Sequence, residues 1–329
     1  MTGRPALGPR PSAAATDVLT FGETMAALRA DDPLIMGGPL RLSVAGAESN
    51  VAIGLARLGH RASWAGLTGT DEFGRLVRRT LRAEGVDLTH AGVTDAGPTG
   101  LVVFEPRVAD RVRVSYYRGG SAGSRLAPDH LRAALSAGAR IVHLTGVTAA
   151  LGDGPRRAVE TAARRAAEQG ALVCLDVNHR ARLWSREEAA EALRPLVRHV
   201  DVLIASEDEL PLAAPAGAAG EDAQAAALLA QGVTEVIVKR GGSGAGAFTA
   251  QGCVSLPAVA VPVRDTVGAG DAFVAGYLSA VLDGEPLEAR LERAVTTGAF
   301  AVASRGDWEG LPSRDELGLL RTAPESALR

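Results

Sequence analysis

The sequence predicts an α/β fold with a mainly parallel sheet, because apolar strand-like runs alternate with helical patterns over its second half. The runs occupy residues 140–145, 171–177, 200–205 and 233–239, and the helical patterns occupy residues 153–169, 185–198 and 221–231. Near-continuous apolar strands are typical of parallel sheets that helices cover on both faces. This order therefore favours one large domain with a central parallel sheet.

The first half of the chain begins the same sheet and then departs from it. Apolar runs at 18–22 and 63–69 predict two strands, and the helical spacing at 51–59 predicts a helix between them. Further segments alternate apolar and polar residues, which is typical of exposed strands. These segments are 26–44, 91–94, 100–105 and 111–117. We expect them to pair into one small antiparallel sheet.

The composition describes an ordinary globular protein and excludes several classes of function. The 329 residues are 47% hydrophobic and 22% charged, and the net charge of -3 argues against a nucleic-acid binder. No run of about 18 apolar residues exists, so the sequence predicts no membrane span. Cys174 and Cys253 lie in apolar runs without zinc spacing, which predicts two buried thiols in a reducing, cytoplasmic compartment.

The amino-terminal residues 1–16 differ in composition from the rest of the chain. They are rich in Pro, Ala, Gly and Arg and contain no apolar signal-peptide core. We expect a disordered extension here and a folded domain over residues 17–322. This domain contains no internal repeat, which is consistent with one α/β unit rather than a repeat array.

One stretch, residues 265–273, has the composition of an anion-binding helix start. It follows a β-rich run at 259–263 and precedes a helical run at 272–282. The small residues 268–270 allow backbone N–H groups to converge on an anion, and the helix N-terminus adds a favourable dipole. Asp271 then has two interpretations. It is either a helix N-cap or a base that takes a proton from an attacking hydroxyl while the N–H groups hold a phosphoryl group.

Polar residues beside two glycine-containing loops are candidates for ligand contacts. Glu48 and Asn50 lie in the first turn of the helix that follows Gly46. Both are either solvated or face a polyhydroxylated ligand. Aromatic residues and glycines flank Arg118. Its guanidinium either binds a carboxylate or several hydroxyl groups, or lies on the surface over a Tyr ring.

Two further segments follow apolar strands, at the edge where α/β sheets bind their ligands. They are residues 176–180 and 239–244, and the second contains Lys239, the only Lys in the chain. Its glycines permit close approach of a nucleotide, although hairpins use the same residues. We interpret His179 as a packing or capping residue. Asp307 lies in a later loop that either borders the site or is solvated.

Together these motifs resemble one family over nearly the whole chain. Residues 265–273 match the second signature of the PfkB, or ribokinase-like, carbohydrate kinases, and residues 45–59 resemble the first, with Ala45 in place of the usual Gly. A Walker A loop is absent, which removes the commonest alternative ATP site. The substrate motifs are similar to those of the 2-keto-3-deoxygluconate kinases within this family. These motifs are residues 46–50, 116–118, 176–180 and 304–307.

The resemblance implies a fold and a reaction. The fold is a ribokinase-like three-layer α/β/α domain with a small β-sheet lid, formed by about residues 26–44 and 91–122. The reaction is ATP- and Mg2+-dependent phosphorylation of 2-keto-3-deoxygluconate at its terminal hydroxyl, which gives the 6-phospho product. Asp265 and Thr266 match positions that bind a monovalent cation, such as K+, in some relatives. The lids of such kinases often pair, which implies a homo-oligomer.

The resemblance also implies roles for individual residues. Asp271 matches the catalytic base, and the N–H groups of Gly268, Ala269 and Gly270 match the anion hole. The positions that hold the substrate are Gly46, Asn50, Tyr116, Arg118, Arg180 and Asp307. Those on the nucleotide side are Asn178, Ser206, Lys239, Gly241 and Gly244, together with Glu209, which helps to organise magnesium and phosphates. The departures from the family pattern are Ser206 for Asn, His179 for Tyr and Val102 for a polar aromatic residue in the lid.

Several functions stay open at this point. An anionic sugar acid calls for a cation, and Arg118 and Arg180 can each make bidentate contacts with a carboxylate. The alternatives are another sugar kinase of the family, such as a fructokinase or ribokinase, and a non-catalytic sugar-acid sensor. The intact Asp271 beside an intact anion hole argues against the sensor. A dinucleotide-binding oxidoreductase is disfavoured because no GxGxxG motif follows the first strand.

Overall fold

The computed structural model describes residues 14, 16–108 and 112–321, which form alternating strands and helices. The strands in this part of the chain are β1 (Thr16–Thr20), β2 (Met25–Ala30), β3 (Leu40–Ala45), β4 (Ala62–Trp64), β5 (Leu67–Gly69), β6 (Gly92–Thr94), β7 (Leu101–Pro106), β8 (Val112–Tyr117), β9 (Ala139–Thr145), β10 (Leu172–Asp176), β11 (Val202–Ser206), β12 (Glu235–Lys239), β13 (Ala245–Thr249) and β14 (Gly252–Leu256). The α-helices are α1 (Ala47–Arg57), α2 (Glu72–Ala83), α3 (Pro128–Ala137), α4 (Gly146–Ala149), α5 (Asp153–Glu168), α6 (Arg186–Leu193), α7 (Leu210–Ala213), α8 (Glu221–Ala230), α9 (Ala269–Leu282) and α10 (Leu287–Val302).

A central sheet has the strand order β14-β13-β12-β11-β10-β9-β1-β4. The strands from β12 to β4 run parallel, and β13 and β14 add an antiparallel edge. Successive residues of each inner strand point alternately into two apolar cores on the two faces of the sheet. On β10, for example, Val173 belongs to one core and Cys174 to the other. Helices α3, α5, α6 and α8 cover one face, and α1, α2, α9 and α10 cover the other. The predicted three-layer domain with a mainly parallel sheet is confirmed.

A smaller sheet, which we call the lid, has the strand order β3-β2-β7-β8. Strands β2 and β3 form one antiparallel hairpin, and β7 and β8 form another. The two hairpins meet through a parallel pairing of β2 with β7. The lid is therefore a mixed sheet rather than the wholly antiparallel one that the alternating segments predicted.

The predicted lid strand at 91–94 lies elsewhere. This segment is β6, which pairs in parallel with β5 outside the lid. Backbone hydrogen bonds from Trp64 N to Asp87 O and from Gly92 N to Gly66 O fasten the chain along this edge. The predicted strand at 63–69 is likewise split into β4 and β5. The chain turns at Gly66, where a Cβ atom would lie 2.0 Å from the Trp64 ring.

Two predictions near the end of the central sheet are wrong. Residues 259–263 form no strand, because Pro262 lies within them and Pro257 shortly before them, and proline has no N–H to donate to a sheet. The strand before the Gly-rich stretch is instead β14. Cys253 lies on this edge strand and is exposed, whereas Cys174 is buried as predicted.

The predicted extension falls mostly outside the described residues. Strand β1 begins at Thr16, one residue before the predicted start of the domain, and residues 1–13 and 15 are not described. The predicted end at residue 322 also lies outside them. Over the described ranges, no helix has both the length and the apolar character needed to cross a bilayer.

Candidate active site

A cavity of about 380 Å3 lies between the lid and the carboxyl ends of the central strands. Most of the predicted site residues line it, although they come from widely separated parts of the chain. They are Gly46, Asn50, Tyr116, Arg118, Asn178, Arg180, Ser206, Glu209, Lys239, Gly268, Gly270, Asp271 and Asp307. The fold thus brings the predicted substrate and nucleotide residues to one place.

The floor of the cavity is the N-terminus of α9. This helix begins at Ala269 rather than at the predicted Ala272, so Gly270 and Asp271 belong to its first turn. Its N-cap is Gly268, with a left-handed φ of 76°. The N-cap interpretation of Asp271 is therefore wrong. The first N–H groups of a helix have no intrahelical acceptor and can bind an anion, and that of Ala269 here makes a long contact of 3.4 Å to Thr266 O.

The Asp271 carboxylate is buried and held by two amides. Asn50 Nδ2 donates to its Oδ2 at 2.8 Å, and Asn178 Nδ2 lies 3.4 Å from its Oδ1. Burial raises the pKa of Asp271 from 3.8 to about 6, which the Asn50 hydrogen bond and the charges of Arg180 and Lys239 partly offset. The group is therefore ionised at neutral pH, yet basic enough to accept a proton.

Asn178 occupies its position at the cost of backbone strain. Its φ of 37° lies in the left-handed region, which is uncommon outside glycine although Asn adopts it more readily than most residues. Its Nδ2 also donates to Asp176 Oδ2 at 3.2 Å, at the end of β10. Strain of this kind is common at functional sites. Here it directs the Asn178 amide at Asp271.

Lys239, at the end of β12, brings a positive charge to the same helix terminus. Its Nζ donates to Asp176 Oδ1 at 2.8 Å, and a Cβ on Gly270 would lie 3.7 Å from that nitrogen. Burial alone would lower the pKa of Lys239, but Asp176 and Glu209 raise it. Lys239 therefore stays charged beside the N-terminus of α9.

Glu209 ties together the ends of two central strands. Its Oε1 accepts the N–H of His179 at 2.7 Å, and its Oε2 accepts the N–H of Ser206 at 2.9 Å. Gly241 and Gly244 do not line the cavity. Gly244 is instead required by the β12–β13 hairpin, because its φ is 99° and a Cβ would lie 2.0 Å from Leu256 O. A nucleotide contact at these two glycines stays a prediction.

Arg118 has an internal counterion that the sequence analysis missed. Its Nε donates to Glu23 Oε2 at 2.7 Å, and Ser121 also donates to Glu23. The Arg118 guanidinium lies 5.4 Å from the centre of the Tyr116 ring. Glu23 follows the carboxyl end of β1, which is where α/β sheets place ligand residues, and that position could have identified it.

Arg180 differs from Arg118 because its charge is not neutralised inside the protein. Its side chain is exposed in the cavity and makes no hydrogen bond or ion pair to any described residue. Its charge nevertheless lowers the pKa of Asp271, so it lies close to the proposed base. An unpaired guanidinium in a cavity is suited to binding an anionic ligand.

Asp307 is also engaged by a residue that the sequence analysis missed. Arg29, on lid strand β2, makes ion pairs with Asp307 and, at 3.1 Å, with Asp265. Burial raises the pKa of Asp307 to about 7, and Arg29 partly offsets this. No local pattern in the sequence links Arg29 to either aspartate, since both lie more than 230 residues away.

The two polar residues in the first turn of α1 lie in different environments. Asn50 lines the cavity, but Glu48 is fully buried beneath it. Thr145 and Thr148 donate to Glu48 Oε1, and burial raises the pKa of its carboxyl. Neither interpretation of Glu48 is correct, because it is an internal hydrogen-bonded acid.

Comparison with known proteins places this site in a family. The family sequence model of the pfkB family carbohydrate kinases matches residues 15–314 of this chain. The chain belongs to this family. It is therefore a carbohydrate kinase, as the two signatures predicted. The oxidoreductase alternative is excluded.

Similar proteins extend over almost the whole kinase. The chain is 37% identical to a 2-dehydro-3-deoxygluconokinase of Thermoproteus tenax, over 95% of this chain and 97% of that protein. It is 32% identical to a 2-dehydro-3-deoxygalactonokinase of Haloferax volcanii, over 88% and 92%. A structure of an E. coli protein proposed to be a ribokinase II, in complex with ATP and Mg2+, has a TM-score of 0.85 at 25% identity and covers 93% of this kinase and 99% of its own chain.

Proposed function

We propose that this kinase transfers the γ-phosphoryl group of ATP to the terminal hydroxyl of 2-keto-3-deoxygluconate, also named 2-dehydro-3-deoxygluconate. The observation that carries the proposal is the unpaired Arg180 guanidinium, which lies in the cavity near Asp271. A sugar carboxylate would supply its missing counterion. The relatives named for 2-dehydro-3-deoxy sugar acids, at 37% and 32% identity, support the same substrate class.

The chemical step exchanges one P–O bond for another and transfers one proton. The terminal hydroxyl oxygen attacks the γ-phosphorus, the bond from that phosphorus to the ADP oxygen breaks, and the hydroxyl proton passes to Asp271. Asn50 and Asn178 hold the Asp271 carboxylate in one orientation for this transfer. Correct positioning of the hydroxyl accounts for much of the rate, since phosphoryl transfer needs little covalent help from the protein.

Negative charge on the transferring group is stabilised from two sides. The first-turn N–H groups of α9 supply fixed dipoles, and Lys239 supplies a full charge next to Gly270. Gly46, Tyr116 and Asp307 line the same cavity, and they would bind the remaining hydroxyl groups of the sugar.

The residues around Lys239 fit a magnesium ion that is held mainly by phosphates. The Asp176, Glu209 and Asp271 carboxylates all lie close enough to Lys239 to raise its pKa. Within the described ranges, no group of three or more His, Cys, Asp or Glu side chains is arranged to hold a metal without a ligand. Mg2+ commonly uses one or two carboxylates and the substrate phosphates, and when bound it neutralises phosphate charge. Glu209 and Asp176 would hold it through its water ligands, because both oxygens of each carboxylate already accept an N–H donor.

A neutral-sugar kinase is the second candidate, and one observation favours it. Glu23 neutralises Arg118, so the cavity offers one unpaired guanidinium to a substrate carboxylate rather than the expected two. The discriminating property is whether turnover requires that carboxylate.

The experiment compares wild-type kinase with Arg180→Gln in an ADP-release assay with ATP and Mg2+. The substrates are 2-keto-3-deoxygluconate, fructose and ribose. We expect turnover on the sugar acid only, and a KM for it that rises about 10- to 100-fold in Arg180→Gln, as loss of a charge-assisted contact implies. The matched control is Arg186→Gln, which changes an exposed Arg at the start of α6 whose side chain donates to the Asp208 carbonyl. Wild-type turnover on a neutral sugar alone, or an unchanged KM in Arg180→Gln, would remove the sugar-acid assignment.

The lid carries apolar side chains that suit pairing with a second lid, and we propose a homo-oligomer formed through it. Ile35 is 89% exposed and Met36 76% exposed in the loop between β2 and β3, and Tyr117 of edge strand β8 is 63% exposed. Sedimentation velocity would test this with a variant in which Ile35 and Met36 are both replaced by Asp. We expect the wild type to sediment as an oligomer and the variant as a monomer. A monomeric wild type contradicts the proposal.

The cytoplasmic location stays a prediction from the sequence.

A further inference from the structure

Arg29 connects the lid to the two loops that surround the anion hole. Its Nη1 donates to Asp265 Oδ2 at 3.1 Å, and its Nη2 donates to Asp307 Oδ1. Its guanidinium carbon lies 3.9 Å from the centre of the Phe104 ring on β7. The side chains of Arg29, Asp265 and Asp307 are only 17%, 14% and 8% exposed, so solvent screens this bridge weakly.

Both aspartates of the bridge help to position the start of α9. Asp265 Oδ1 accepts the N–H of Val267 at 3.1 Å, which shapes the turn before Gly268. Asp307 contributes through its backbone, because its carbonyl oxygen lies 1.9 Å from where a Cβ on Gly268 would be. Two weakly exposed carboxylates that contact the same guanidinium would repel each other and the incoming phosphates without it. Some positive charge is therefore needed between them.

The surroundings of Asp265 do not fit the monovalent cation predicted there. Three N–H groups point at its carboxylate: those of Val267, Gly306 (3.3 Å) and Arg29. A K+ ion needs oxygen ligands, and an N–H donor directed at the same oxygens repels it. The guanidinium already supplies the charge that a cation would bring.

We propose that Arg29 is a built-in replacement for the monovalent cation, a positioning residue that lets this kinase work without K+. The guanidinium neutralises Asp265 and Asp307 together and thereby fixes the turn that presents the anion hole. Because Arg29 belongs to the lid, the same contact sets the lid against the phosphoryl-transfer site. The proposal rests on the proposed kinase reaction, which it extends to the control of the anion hole.

The first test needs only the wild-type protein. Activity and melting temperature are measured in KCl and in tetramethylammonium chloride at equal ionic strength. We expect the two salts to give the same kcat and the same melting temperature. A kcat that falls on the order of tenfold without K+, or a ligand-free protein that K+ specifically stabilises, overturns the proposal.

The second test removes the guanidinium with Arg29→Met, which keeps much of the apolar stem. We expect kcat to fall on the order of tenfold in tetramethylammonium chloride, as for a lost charge-assisted contact, and K+ to restore part of it. We also expect K+ to raise the melting temperature of the ligand-free variant. The control is Arg41→Met, since Arg41 is the exposed cross-strand partner of Arg29 on β3 and should show no salt dependence.

Rescue by free guanidinium and the melting temperatures of the ligand-free variants provide two further tests. Arg29→Ala with millimolar guanidinium chloride should recover activity, because the free ion can occupy the space over Phe104, and Arg41→Ala should not respond. An Arg29→Met variant that folds and shows wild-type kcat in both salts refutes the role of Arg29. If Arg29→Met does not fold, the wild-type comparison and guanidinium rescue decide the matter. The ligand-free melting temperatures need no substrate, so they test Arg29 even if the proposed sugar acid is not turned over.

Discussion

Replacing Asp271 by Asn lowers kcat by about three orders of magnitude or more, while the affinity for ATP stays close to that of the wild type. Asn has the shape of Asp, so it can still accept the Asn50 amide at its Oδ1. It cannot take the proton of the attacking hydroxyl. The anion hole consists of backbone N–H groups and is unchanged, so nucleotide binding persists. Single-turnover rates and ATP titration by calorimetry would measure the two quantities separately.

The stability of Asp271→Asn provides an independent check that the variant is folded. The folded-state pKa of Asp271, about 6, is above its ordinary 3.8, so the folded protein binds this proton more tightly than the unfolded chain does. Above about pH 6 the ionised carboxylate therefore costs roughly 3 kcal/mol of unfolding free energy, and this cost disappears as the pH falls from about 6 to about 4.

Asp271→Asn should therefore be more stable than the wild type near pH 8, by up to roughly 3 kcal/mol, and equally stable near pH 4. Urea denaturation at both pH values measures this. The control is Asp153→Asn, since Asp153 is an exposed acid in the first turn of α5, away from the cavity. It should leave kcat unchanged. Substantial activity in Asp271→Asn would show that another group accepts the proton.

The fold and the helix that starts in the Gly-rich stretch could be predicted from the sequence because their signals are local. A buried parallel strand such as β10 is a continuous apolar run, and the start of α9 is a run of small residues next to an acid. The carboxyl ends of parallel strands lie at one edge of a sheet. This rule alone brings Asn178 and Lys239 together before any contact is known.

The ion pairs around the site could not be predicted, because each joins residues that are far apart in the chain. Glu23 and Arg118 are separated by 95 residues, and Arg29 and Asp307 by 278. Charged residues such as Arg29 also occur on solvated strands, so nothing local distinguishes the internal bridge from a surface charge. The same limit explains β6, whose alternating pattern fits a lid strand although its register places it beside β5.

Replacing Gly268 by Ala should lower kcat by about two to three orders of magnitude, as loss of an anion-hole donor does, with a smaller effect on the KM for either substrate. Two features combine at this position. The φ of 76° is unfavourable for any residue with a Cβ, and that Cβ would lie 1.9 Å from the carbonyl oxygen of Asp307. The backbone of the Asp307 loop or the first turn of α9 must then move. Either movement takes the N–H groups away from the phosphoryl group.

The matched control is Gly298→Ala on α10, where the new Cβ would meet Ala269 O at an ordinary 3.6 Å. This position faces the same turn of α9 from behind and has helical geometry, so Ala should be tolerated and should stabilise the helix slightly. Steady-state kinetics on both variants separates a specific requirement for Gly268 from a general sensitivity of the region. Wild-type kcat in Gly268→Ala would mean that phosphoryl transfer does not depend on the position of this turn. The charge of Lys239 would then be the main stabilising group.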